Sequence, residues 1–129
     1  RAIGKEAFAH CSSLTTVVAW PPRLEHIGPR AFEQTGLINL RFESVWARDD
    51  AAFIIDEHAF AGCTALETCV LPAHLTAVRA SAFAGCDAIK EFDVSRCHRL
   101  ATIAPKSLPK GVPIDLSNSV ITAIPDGAG

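Results

Sequence analysis

Apolar and polar positions along this chain return together in one fixed order. An Ala-Phe pair recurs at Ala7-Phe8, Ala31-Phe32, Ala59-Phe60 and Ala82-Phe83, at steps of 24, 28 and 23 residues. Four residues before each Ala sits a β-branched apolar residue: Ile3, Ile27, Ile55 and Val78. The same offset continues to Ile103, ahead of Ser107-Leu108, and to Ile124, ahead of Ala128. Three residues after each Phe comes a small residue, Cys11, Thr35, Cys63 or Cys86. An apolar triple at offsets 0, 3 and 5 follows, reading Leu14-Val17-Ala19, Leu37-Leu40-Phe42, Leu66-Cys69-Leu71 and Ile89-Phe92-Val94. Leu24, Leu75, Leu100 and Val120 then lead into the next unit. Self-similarity at such a period is the signature of a stacked-repeat architecture. The register gives four firm units, a degenerate fifth around Gly111, Ile114 and Leu116, and the stub of a sixth.

The end of each triple alternates, which predicts a short strand with one face buried. Pro22 and Pro72 close two of these strands, where a missing N–H does least harm. The segment from Gly4 to Cys11, and its equivalents, is too short for an ordinary helix and is expected to be a single helical turn pointing Ala and Phe inward. One unit cannot bury such faces alone. Stacking makes continuous columns of Phe, Leu and Ile, with the strands in a parallel ladder. The regularity breaks at an insertion from Ser44 to Phe53, which holds Trp46 and Asp49-Asp50.

Composition narrows the function classes. With 129 residues, 49% hydrophobic and 20% charged, the chain has the balance of one globular domain. A net charge of -2 and a pI near 6.2 do not point to nucleic acid or an anionic membrane as partner. No apolar run approaches the roughly 18 residues of a membrane span. Residue Arg1 opens directly into repeat sequence, so the chain is expected to be a mature or trimmed fragment.

The motif Ile-Gly-x-x-Ala-Phe-x-x-Cys-x-x-Leu resembles the BspA-type leucine-rich repeat, also called the Treponema pallidum-type class. Ile3-Gly4, Ala7-Phe8, Cys11 and Leu14 match in full. Ile27-Gly28, Ala31-Phe32 and Leu37 match with Thr35 for Cys and one residue fewer, and the units at Ala59 and Ala82 match apart from the Gly. The resemblance implies an α/β repeat solenoid, a right-handed superhelix spanning residues 1–129 as one domain. Short parallel strands would line its concave face, with short helical turns or loops on the convex face. It further implies surface or secreted proteins of microbes that adhere to host proteins, extracellular matrix or other cells.

On such a concave face the residues between the core positions of each strand point outward. One column reads Thr16, Asn39, Thr68, Glu91; the next Val18, Arg41, Val70, Asp93, Asp115; a third Trp20, Glu43, Pro72, Ser95, Ser117. The expected ligand-binding residues are Thr16, Val18, Trp20, Asn39, Arg41, Thr68, Val70, Glu91, Asp93 and Asp115, on a face graded from apolar to acidic. Exposed Trp20 beside Val18 and Val70 has the makeup of a protein-binding hot spot. Alternatively, Trp20 folds over the first repeat as a cap. Trp46 either packs the insertion onto the repeats or rims a pocket. The acidic column either takes Ca²⁺ or a basic partner, or is a solvated face.

Cys63 and Cys86 are stacked equivalents. Side chains of a ladder run parallel, so Cys11, Cys63 and Cys86 are expected to be buried thiols acting as small hydrophobes, with Cys69 in the core. Cys97, beside His98 and Arg99, is expected to be the exposed thiol. The five histidines show no paired spacing, and no phosphate loop, nucleophile elbow or zinc signature is present. The reading is therefore non-enzymatic, without metal or cofactor: a module for a protein partner on its concave face, or a self-assembling spacer that pairs through uncapped ends. The odd cysteine count speaks mildly against an oxidising compartment, whereas the resemblance places the protein in the cell envelope or outside the cell.

Overall fold

A computed structural model of the chain describes residues 2–15, 24–42, 52–95, 97, 99–104 and 107. Its strands are β1 (Ala2–Ile3), β2 (His26–Ile27), β3 (Asn39–Arg41), β4 (Phe53–Ile55), β5 (Thr68–Val70), β6 (Leu75–Val78), β7 (Glu91–Asp93) and β8 (Thr102–Ile103). They form two parallel sheets. The triple positions build a three-stranded sheet ordered β3-β5-β7, and the isoleucine positions build a five-stranded sheet ordered β1-β2-β4-β6-β8. Successive repeats therefore lie on one another in sequence order, with Leu40, Cys69 and Phe92 in register in one sheet and Ile27 and Ile55 in register in the other. The pairing slips once, between Phe53 and Ile54, where β6 carries the extra residue Thr76. The Thr76 hydroxyl donates to the Phe53 carbonyl there at 3.3 Å.

Only the first of these sheets was expected from the residues. The five-stranded sheet is defined by pairing rather than by alternation along its strands. Their partners lie a whole repeat away.

The segment between the sheets corrects the expectation of a helical turn. Among the described residues no helix forms. Instead, in each of the four described Ala-Phe turns two residues take the left-handed conformation, one before the Ala and one three residues after it. These are Glu6 and His10, Arg30 and Gln34, His58 and Gly62, and Ser81 and Gly85, with φ from 56° to 76°. Alternate N–H groups then face different ways. In repeat one, Ala7, Ala9 and Cys11 donate within their own turn to Gly4, Glu6 and Phe8, while Glu6, Phe8 and His10 donate to Pro29, Ala31 and Glu33 of the next repeat. Repeats two and three do the same. Left-handed non-glycine residues cost about 1 kcal/mol each. A helix would spare that cost, but its N–H groups would all point along one axis and none to the neighbouring repeat. The inter-repeat bonds, each worth about 1 kcal/mol net and leaving no buried donor unpaired, offset the strain.

Inside the turns Phe8, Phe32, Phe60 and Phe83 stack face to face, with centroids 5.1, 5.2 and 5.3 Å apart and planes within 13°. Phe32, Phe60 and Phe83 are buried, while Phe8, with a ring on one side among the described residues, is 42% exposed. The triple positions Leu37, Leu40, Phe42, Leu66, Cys69, Leu71, Ile89, Phe92 and Val94 join them in a single core. Phe92 meets Phe83 edge-on, and Phe53 meets both Phe42 and His74 the same way. Gly28 is required by close approach: a Cβ there would lie 2.8 Å from the Ile3 carbonyl oxygen and the Lys5 nitrogen.

Candidate ligand-binding face

The three-stranded sheet turns Leu40, Cys69 and Phe92 into the core, which sends the residues on either side outward. The parallel register aligns Asn39 with Thr68 and Glu91, and Arg41 with Val70 and Asp93. The described members of the first two expected columns are therefore in register, while Pro72 of the third is buried. Asn39, Arg41 and Glu91 are exposed; Thr68 and Asp93 are half-buried. Asp93 accepts the Ser95 N–H on Oδ1 at 2.8 Å, which turns the chain out of β7. Thr16, Val18, Trp20 and Asp115 lie outside the described residues, as does the Trp46 insertion up to Ala51.

Val70 departs from expectation. It points away from the core but is only 6% exposed. It stands on the middle strand, flanked in register by the longer Arg41 and Asp93, so neighbours cover it from both sides. Alternation fixes which face a side chain takes, and burial on that face depends on the neighbouring repeats.

Ile38 is a residue the sequence reading passed over. It is 38% exposed, one of two large apolar side chains so exposed among the described residues. It begins a further aligned row with Glu67 and Lys90, both exposed, whose N–H groups link the row through Ile38 and Glu67 carbonyls at 2.7 and 2.8 Å. The signal was available: Ile38 is the apolar residue inside the Leu37-Leu40-Phe42 triple that does not fit its spacing. Among the described residues the face thus presents an apolar corner, an arginine and a carboxylate edge on an in-register grid.

A second polar cluster stands on the five-stranded sheet, where the motif has its glycine. Asp56 replaces that glycine in repeat three and Arg79 in repeat four. Asp56 Oδ2 accepts from His26 Nε2 at 2.9 Å and from Arg79 at 3.3 Å, and its Oδ1 accepts the Glu57 N–H at 2.8 Å. Burial opposes its ionisation, but the His26 and Glu57 hydrogen bonds and the Arg79 charge outweigh it and hold the carboxyl below its usual range. The cluster ties three repeats together. Its members are 30 and 23 residues apart in sequence, so only stacking assembles it.

The cysteines bring two corrections. Cys11, expected to be buried, is exposed, whereas Cys63 and Cys86 at the same position are buried. Cys97, expected to be exposed, is fully buried. It closes a turn by its N–H to Val94 and donates its thiol to the Pro72 carbonyl at 3.3 Å. Burial and the Asp93 charge push that thiol up to about 12, so it is not a nucleophile at neutral pH. Cys69 sits in the core as expected, its thiol raised by burial. Among the described residues no group of three or more His, Cys, Asp or Glu side chains is placed to hold a metal ion, and no helix is long and apolar enough to cross a membrane.

The family model for the BspA type leucine rich repeat region matches residues 1–104 in six copies. The chain belongs to the BspA-type leucine-rich repeat family. A crystal structure of a leucine-rich repeat protein from Bacteroides ovatus ATCC 8483 is similar over 98% of this chain, with a TM-score of 0.58 and 24% identity. The chain spans about a third of that protein, 35% of its length, and the likeness concerns the fold. No curated protein matches. Leucine-rich repeat domains are in general protein-interaction modules, and a BspA-type array presents its outward strand residues on a surface fixed by the core beneath.

Proposed function

We propose that this BspA-type domain is a non-enzymatic adhesion or interaction module that engages a partner protein through the outward face of β3, β5 and β7. The grid of Ile38, Asn39, Arg41, Thr68 and Glu91 carries the reading, since it sets exposed apolar, cationic and acidic groups in register over a fully packed core. A backbone held by such a scaffold loses little further freedom on binding. On this reading the strands line the concave side of a right-handed solenoid. The partner is a host surface or extracellular-matrix protein, and the domain works in the cell envelope or outside the cell, as the family likeness implies.

Binding of the domain to immobilised extracellular-matrix proteins tests this, by biolayer interferometry. Ile38→Ala with Arg41→Ala is expected to weaken binding at least tenfold, about 1.4 kcal/mol. A control on the other sheet, Glu25→Ala with Thr102→Ala, is expected to leave it unchanged. Equal effects of the two pairs, or none from the first, would remove this face from the argument.

A further inference from the structure

We draw no further inference here: the strongest candidate, the His26–Asp56–Arg79 cluster on the five-stranded sheet, is accounted for as a tie between three repeats, and nothing in the structure shows a ligand for the half-exposed His26 and Arg79 side chains.

Discussion

Truncating Phe60 to alanine probes the column that couples the repeats. Phe60 is fully buried, sandwiched between Phe32 at 5.2 Å and Phe83 at 5.3 Å with planes within 8°. Its removal leaves a cavity with apolar rings above and below. A buried Phe→Ala change costs about 3–5 kcal/mol, and the loss of two stacked pairs puts this site near the upper end. Phe8 occupies the same position in repeat one, but it has one ring neighbour among the described residues and is 42% exposed. Phe8→Ala should cost about 1 kcal/mol, given roughly half the burial and half the stacking. Urea unfolding followed by far-ultraviolet circular dichroism measures both. Against a total stability of about 5–15 kcal/mol, Phe60→Ala should lower the urea midpoint by about a third or more, and Phe8→Ala only slightly. A second signature follows from the one-dimensional coupling of repeats. A break at repeat three should separate the array into two blocks and lower the apparent m-value. Equal losses at the two positions, or a loss below 1 kcal/mol at Phe60 with an unchanged m-value, would refute the idea that the ring column carries inter-repeat cooperativity.

Two further outcomes are expected. Asp56 is held below its ordinary carboxylate range by His26, the Glu57 N–H and Arg79, so its contribution is present above the unfolded value of 3.8 and is lost as pH falls through the lower folded value. Asp56→Asn should therefore be less stable than the parent at pH 6, and the gap should narrow as pH falls below 3.8; a gap that stays constant from pH 6 into that acid range in thermal melts would exclude the mechanism. Of the five thiols, Cys11 alone is exposed. A chromogenic disulfide reagent at pH 8 should thus titrate one thiol quickly, and a fast equivalent that survives in Cys11→Ser would contradict the burial pattern.

Local sequence decided what each repeat contains. The spacing of Leu37, Leu40 and Phe42, and of its equivalents, was enough to place three strands and name their outward residues, because alternation is a property of a single strand. The Ala-Phe spacing likewise identified the core column, since an apolar residue repeated at one position must be buried by its own copies. Stacking decided the rest. The turns are left-handed ladders rather than helical because half of their N–H groups have acceptors one repeat away, and no local pattern records that. The isoleucine strands escaped notice because pairing, not alternation, defines them. Val70 is covered by Arg41 and Asp93, Cys97 by the turn that closes on Pro72, and Asp56 gathers His26 and Arg79 from the two flanking repeats. In a stacked array, burial and charge pairing are properties of neighbouring units, so one repeat read alone contains the side chains but not the partners that fix their chemistry.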